Sequence, residues 1–373
     1  MPSSRLNLTG LDPAVPSVAS ALGAVLHDDA GGRWVDWEAG VWCAGLGHQH
    51  PAVVRAVSEQ LSAVGHVGYR WTHPVVEQAA TRLAEVAGLP DGRVVFLSSG
   101  SEAVELAIRL AHAVTGRQRL ARIAGNYLAA YGAARGPGWT ELTERTVEHR
   151  LGPDVAAFVL EPGNASGTVD LPSRDLVESV ARGVQNGGGL LVVDEVTTGF
   201  GRTGRWFGYQ HYAVRPDIVA VGKGAGNGYP VSAVVVSEEV AARLPPDFRH
   251  AQSHQDDPAA AAAVLAVIDT MQRDGLVERS AILGQRLRTA LLAVAGSAGE
   301  ITEVRGRGLM CAVSLRPVDQ GGPAAAEVQR RLAAAGHLVG ANPARNCLRL
   351  YPPLVIGEEQ IDALAQALRG ALA

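Results

Sequence analysis

The stretch DIVAVGKGAGNG, residues Asp217–Gly228, joins an apolar β-branched run to a lysine and then to a glycine-rich loop. Lys223 is the only lysine of the chain, so the rest of its 33 Lys and Arg residues are arginines. Arginine supplies surface charge equally well, but its guanidinium stays protonated and cannot form a Schiff base. The lone amine therefore indicates either Schiff-base chemistry or a chance survivor of a compositional bias. The position of Lys223 favours Schiff-base chemistry, because a strand end followed by glycine is where α/β proteins hold ligands.

Length and composition limit the class of protein. The chain has 373 residues, of which 47% are hydrophobic and 19% charged, which predicts a globular protein with two domains and a large core. The net charge is −4, and no basic stripe with interleaved aromatics is visible, so we expect no nucleic-acid partner.

The termini and cysteines bear on location. The N-terminal sequence MPSSRLNLTGLDPAV lacks the pattern of a signal peptide, and the longest apolar run, Pro258–Ile268, is too short to span a membrane. Cys43, Cys311 and Cys347 are scattered and odd in number. This usage predicts a cytoplasmic protein with no disulfide framework and no cysteine metal site.

Two further apolar runs end in acidic residues. The strand predicted at Gly189–Val193 is followed by Asp194 and Glu195, and the one at Ala156–Leu160 is followed by Glu161. A carboxylate at the end of a central strand is costly to bury unless it has a partner or a task. Asp194 is therefore a functional candidate, with a helix or turn cap as the alternative.

A strand-to-helix turn lies earlier in the chain. Val94–Leu97 predicts a short strand, and the helix that follows is capped by Ser98–Ser101 and ends at Gly116. The free N–H groups at such a turn bind anions, so it indicates either a phosphate site or a capped helix without a ligand.

Three other motifs favour structure over chemistry. His48 with His50, and His250 with His254, are more typical of capping and packing than of ligation, and we expect no metal. The segment Gly199–Gly204, GFGRTG, has the dinucleotide glycine spacing, but the aromatic sequence after it does not predict the required helix.

Periodicity predicts most of the remaining elements. LHDDAGGRWVDWEAG is typical of a hairpin. The other predicted helices and strands are Ala52–Val64, Ser173–Gln185, Pro230–Ser237, Ala259–Gln272, Val277–Ala293, Gly308–Leu315, Ala324–Ala335, Cys347–Leu350 and Glu358–Ala373.

Five motifs in order give the chain a family resemblance. They are Ser98–Ala103, Glu161-Pro162, DEVTTGFGRTG, PDIVAVGKGAGNGYP and LRLYPPLVI. With them the chain resembles the class III pyridoxal-phosphate aminotransferases from about Leu26 to the C-terminus. The resemblance implies the α/β architecture of fold-type I. A large domain (46–270) would hold a mostly parallel sheet between helices, and both termini (1–45 and 271–373) would form a smaller α+β domain.

The resemblance also implies a cofactor site. Lys223 matches the lysine that holds pyridoxal 5′-phosphate as a Schiff base, and Asp194 matches the acid that keeps the pyridine nitrogen protonated. Gly100 and Ser101 would bind the phosphate, while Tyr127 would stack on the ring.

Other residues match positions around that site. Val196 would contact the second face of the ring, and Ser253 would reach the phosphate of a neighbouring subunit, which implies a homodimer. Arg349 matches an arginine that binds the substrate carboxylate. Glu161, of the Glu161-Pro162 motif, is likewise expected to contribute to substrate binding.

The implied reaction is transfer of an amino group from an amino acid or ω-amino acid to a 2-oxo acid or aldehyde. A racemase or epimerase on the same scaffold and a cofactor-binding protein with altered catalysis stay as alternatives. Leu128, Thr197 and Ser166 depart from the family pattern. Ser166 replaces the glutamate that masks the carboxylate-binding arginine in some relatives, so we expect Arg349 to be unmasked.

Overall fold

The computed structural model describes residues 17–144, 151–164 and 167–373. Its strands, in chain order, are β1 (Ser20–Leu22), β2 (Val25–His27), β3 (Arg33–Asp36), β4 (Arg93–Leu97), β5 (Arg119–Ile123), β6 (Trp139–Leu142), β7 (Val155–Leu160), β8 (Leu190–Asp194), β9 (Ile218–Val221), β10 (Ser232–Val236), β11 (Ile301–Arg307), β12 (Met310–Leu315), β13 (His337–Leu338), β14 (Gly340–Asn342) and β15 (Cys347–Leu350).

The helices are α1 (Ala39–Trp42), α2 (Pro51–Ala63), α3 (Pro74–Val86), α4 (Gly100–Thr115), α5 (Arg174–Asn186), α6 (Glu238–Ala242), α7 (Pro258–Arg273), α8 (Leu276–Ala295), α9 (Ala325–Ala334) and α10 (Glu358–Leu372). Across the described ranges, every helix is too short or too polar to cross a membrane.

A seven-stranded sheet forms the centre of the protein. Its order is β4-β10-β9-β8-β7-β5-β6, and β10 runs antiparallel to both of its neighbours while the other pairs are parallel. Strands β7, β8 and β9 are buried at every residue, as expected for parallel strands covered on both faces. Because parallel strands end at one edge, Asp194 and the residues after Val221 lie side by side.

Helices cover both faces of this sheet. Phe158 and Leu160 of β7 share a core with α5, while Ala157 and Val159 of the same strand share a second core with α4. The alternation follows from the two-residue period of a strand. The expected α/β sandwich is confirmed.

Two smaller sheets flank the central one. β1, β2 and β3 form a sheet with β13, and β3 pairs with β13 in parallel. β2 and β3 form the predicted hairpin. β11, β12, β15 and β14 form an antiparallel sheet. The N-terminal strands therefore pair with a strand from the C-terminal part, and the proposed division at residues 45 and 270 stays a prediction.

The GFGRTG segment forms turns rather than the start of an α-helix, as the aromatic sequence that follows it predicts. Its buried Arg202 donates hydrogen bonds to the carbonyl oxygens of Leu309, at 3.0 Å, and Pro352. This segment thus fastens the loop after β8 to the C-terminal part of the chain.

Candidate active site

Lys223 lies just beyond the end of β9, in a 3₁₀ turn, with its backbone in the left-handed region. Its Nζ donates a hydrogen bond to Oγ1 of Thr197, at 2.9 Å, on the loop that follows the neighbouring strand β8. Thr197 departs from the family pattern, and here it orients the amine. The two strand ends therefore hold a lysine and its acceptor at one edge of the sheet.

Asp194 is the last residue of β8 and is almost completely buried. Burial and the nearby Glu161 raise its pKa well above the usual value, while the N–H of Val196 and the charge of Lys223 act in the opposite direction. Burial lowers the pKa of Lys223, and Asp194 opposes that shift. The site thus holds an amine and an acid that share a desolvated environment, which is typical of catalytic groups.

Glu195 has a different role from its neighbour. It is fully buried and accepts hydrogen bonds from the hydroxyl of Thr198 and from the backbone N–H groups of Gly208 and Tyr209. Burial raises its pKa to about 7. Glu195 therefore anchors the loop from 195 to 209 and does not face Lys223 as a second acid.

The N-terminus of α4 lies on the other side of this edge. Gly100 is its first residue, and Ser99 and Glu102 form a capping box. A Cβ atom on Gly100 would lie 2.6 Å from Val196, so glycine allows the helix N-terminus to approach the β8 loop. The structure brings Gly100 and Val196 together, while Oγ of Ser101 accepts the N–H of Ala130 at 3.0 Å.

Glu161 directly follows β7 and fixes the segment that carries Tyr127. Its Oε2 accepts the side-chain amide of Asn126 at 2.9 Å and the backbone N–H of Tyr127 at 3.1 Å. The guanidinium of Arg135 lies 4.5 Å from the centre of the Tyr127 ring. Leu128 is buried with a positive φ of 58°, so this departure from the family fills core space.

Arg349, in β15, forms an ion pair with Glu38: Nη2 and Oε1 are 3.0 Å apart. The expectation that Arg349 would be unmasked is wrong for this structure, because Glu38 supplies the acid from the N-terminal part of the chain. Burial raises the pKa of Glu38, and the charge of Arg349 opposes that shift. Gly340, beside Arg349 in the sheet, has no Cβ that would overlap the carboxylate of Glu38.

Trp42 connects the ion pair to the lysine. The guanidinium carbon of Arg349 lies 5.2 Å, and Nζ of Lys223 4.7 Å, from the centre of the Trp42 indole. Tyr351 packs against the same indole, with ring centres 4.9 Å apart. One aromatic side chain thus spans the space between the two cations that the sequence singled out.

A left-handed turn positions Glu38 beside Arg349 and Trp42 between Arg349 and Lys223. All four residues of α1 have positive φ angles, from 48° at Ala39 to 70° at Trp42. Such a conformation costs about 1–2 kcal/mol for each non-glycine residue, so other contacts must hold it. Asp36 does so: it accepts the N–H groups of Glu38, at 2.8 Å, and Gly40, at 2.7 Å.

Unsatisfied polar atoms collect at this point. Within the described residues, Nε1 of Trp42, the hydroxyl of Tyr351 and Nε of Arg349 are buried without a hydrogen-bond partner. Buried polar atoms are ordinarily paired, and three unpaired ones around one space indicate that a polar ligand completes them.

Two residues named in the sequence analysis remain. Ser253 is exposed, in the segment before α7. Ser166 lies outside the described residues. Glu38, Trp42 and Tyr351 were not predicted. Tyr351 follows Arg349 by two residues, directly after β15, and could have been inferred from strand alternation, but nothing local indicated Glu38.

Comparison with known proteins gives a consistent result. A family model described as aminotransferase class-III matches residues 10–131 and 138–372. An acetylornithine aminotransferase of Mycobacterium leprae is 33% identical over 98% of this chain and 93% of its own length. One from Methanopyrus kandleri is 34% identical over 94% and 93%. An amine transaminase structure from an uncultivated Pseudomonas species, in a PLP-bound form, has a TM-score of 0.90 at 25% identity and covers 100% of this chain and 99% of that one.

Proposed function

Because the chain belongs to the class-III aminotransferase family, we propose that it is a pyridoxal-phosphate enzyme that uses Lys223 to move an amino group from a carboxylate-bearing donor to an oxo acceptor. The observation that carries this proposal is the position of Lys223. Its amine donates a hydrogen bond to Thr197, is close enough to Asp194 for their charges to interact, and lies over the indole ring of Trp42. The comparisons do not favour a racemase or epimerase.

The residues present fit the cofactor. Lys223 would hold it covalently, Asp194 would lie at the ring nitrogen, and the N–H groups at Gly100 and Ser101 would face the phosphate. The close approach of Gly100 to Val196 leaves no room for a side chain there, which suits a site that needs exposed backbone. When bound, pyridoxal phosphate supplies the electron sink for proton removal from the carbon that bears the amino group.

The side chains of this chain would then do the following. Lys223 would hold and move the proton of the substrate carbon, and its lowered pKa suits a base. Asp194 would stay negatively charged although it is buried, because it would pair with the protonated ring nitrogen of the cofactor. Thr197 orients Nζ of Lys223. Trp42 and Tyr351 exclude water from the space between Lys223 and Arg349.

Arg349 would bind the donor carboxylate through its planar fork. In this chain the carboxylate has to displace Glu38, which makes Glu38 a competitor for the same guanidinium. The substrate would be an amino acid whose carboxylate reaches Arg349 while its amino group lies at Lys223. Acetylornithine and simple amines, the substrates named for the relatives, differ in whether they have that carboxylate, so both belong in the substrate panel.

The assembly and location are proposed on less direct grounds. Trp71 and Tyr69 have exposed fractions of 68% and 52%, and Ser253 is exposed, which suits a homodimer whose subunits share their sites. Three free cysteines suit a cytoplasmic location. We also propose the two-part organisation, with 46–270 as the cofactor domain and 1–45 plus 271–373 as the smaller one.

The test uses the purified enzyme and its Lys223→Ala variant. The wild type should show the absorbance of lysine-bound pyridoxal phosphate, and a donor should change that absorbance and produce a new amino acid from a 2-oxo acid. Lys223→Ala should lose both. Change of optical activity without an oxo co-substrate would indicate an epimerase instead, and neither activity would indicate a cofactor-binding protein.

A further inference from the structure

A second cluster of ligating side chains lies outside the active site. His66 belongs to the connection between α2 and α3, and His254 and Asp257 belong to the segment that leads into α7. The sequence paired His254 with His250 and favoured no metal. In the structure His250 instead contacts Arg109, with 3.1 Å between Nδ1 and Nη1. His254 contacts Asp257, three residues further on, and the distant His66, which no local pattern connects with it.

The three ligand atoms converge. Nδ1 of His254 lies 2.9 Å, and Nδ1 of His66 3.5 Å, from the same oxygen, Oδ2 of Asp257. The two imidazole rings have their centres 4.9 Å apart, and all three ligand atoms lie within 4.8 Å of one another. Ligands of a tetrahedral zinc ion, at about 2.0–2.2 Å from the metal, are separated by roughly 3.3 Å. Small rotations of the two exposed histidines reach that spacing.

Asp257 is oriented for this task. It caps α7, and its other oxygen, Oδ1, accepts the N–H of Ala259 at 3.4 Å, which leaves Oδ2 directed at the histidines. Carboxylates with a second hydrogen-bonded oxygen are ordinary metal ligands, because the outer contact fixes their orientation. His66 and His254 are largely exposed, so water can fill the remaining coordination position.

We propose that His66, His254 and Asp257 form a binding site for one divalent cation of the zinc type. Two imidazoles and one carboxylate are a ligand set that Zn²⁺ prefers, and Mg²⁺ and Ca²⁺, which prefer oxygen, should bind poorly. The site joins two segments far apart in the chain. A bound ion would therefore restrain the segment 250–257, which carries Ser253, and would stabilise the fold by mass action.

The test is calorimetric titration of Zn²⁺ into the tag-free holoenzyme, followed by thermal unfolding with and without the ion. We expect one equivalent of Zn²⁺ per chain and a higher unfolding temperature, both reversed by EDTA. His66→Ala and His254→Ala should each weaken binding at least tenfold, and Mg²⁺ should give no signal. His250→Ala is the matched control in the same segment and should bind as the wild type does.

The cofactor absorbance should not change on titration, which separates this site from the active site and makes the result independent of the proposed reaction. No one-equivalent binding by the wild type, or equal binding in the His66→Ala and His254→Ala variants, would overturn the proposal.

Discussion

Replacing Glu38 by glutamine should lower the KM for a carboxylate-bearing donor and leave a donor without a carboxylate unaffected. The side chain keeps its size but loses the charge that pairs with Arg349. A donor carboxylate then no longer has to break an ion pair before it reaches the guanidinium. An amine that lacks the carboxylate makes no use of Arg349, so its KM should not change.

The magnitude follows from the geometry. A hydrogen bond between charged groups contributes about 1.5–3 kcal/mol net, and the lower value applies here because the two side chains keep 21% and 23% of their surface exposed. About 1.4 kcal/mol corresponds to a factor of ten in affinity. We therefore expect the KM for alanine to fall about tenfold in Glu38→Gln.

The assay is the change in cofactor absorbance when the holoenzyme is mixed with alanine or with isopropylamine, which has a methyl group in place of the carboxylate. Glu327→Gln, in an exposed pair with Arg331 on α9, is the control and should behave as the wild type with both donors. In an Arg349→Lys background, which loses the fork, the effect of Glu38→Gln should shrink. An unchanged or raised KM for alanine, or an equal change with isopropylamine, would refute the competition between Glu38 and substrate.

Two other predictions address buried charge. Asp194→Asn keeps the shape of the side chain but removes the charge, and should lower kcat roughly 100-fold or more. Glu195→Gln is the neighbouring control and should lower thermal stability while kcat of the cofactor-loaded enzyme stays the same. Equal losses of kcat in the two variants would contradict the distinct roles of the two acids. Burial, with Arg307 nearby, lowers the pKa of His211 to about 4, so the stability gained by keeping it neutral is present above about pH 6.5 and is lost as the pH falls towards 4. His211 is only half-buried, which limits this contribution to about 1–2 kcal/mol. Urea unfolding between pH 7 and 4.5 should show that the free energy of unfolding falls less steeply with pH in His211→Gln than in the wild type. Parallel pH dependences in the two proteins would contradict the role given to His211.

The sequence predicted the parts of the site that local patterns specify. β8 and β9 are uninterrupted apolar runs, so the positions of Asp194 and Lys223 at their ends followed from the period of the pattern and the parallel sheet. β5 was not predicted, because Arg119 and Arg122 interrupt its apolar residues. Their charged ends pair with Asp154 and Glu141 outside the core, which the sequence alone does not reveal.

Contacts between distant segments could not be predicted in the same way. Val41 and Trp42 are β-branched and aromatic residues that disfavour a positive φ. The left-handed turn is held by local hydrogen bonds to Asp36 and by the packing of Trp42 against the distant Tyr351, and the second of these is not visible in the local sequence. The pairing of Glu38 with Arg349 depends on that turn. His66 and His254 likewise meet only because α2, α3 and α7 pack together.

The parallel pairing of β3 with β13 has a consequence for biosynthesis. Val35 lies opposite His337, and Nε1 of Trp37 donates to Nδ1 of the same histidine at 3.1 Å, so these contacts close a loop of some 300 residues. Closing so large a loop carries a high entropy cost and is slow. β3 must wait, without its partner, until β13 has been made some 300 residues later. The wall that carries Glu38 and Trp42 is therefore the last part of the pocket to form, and a truncated or stalled chain would hold Lys223 on a formed central sheet without a closed site around it.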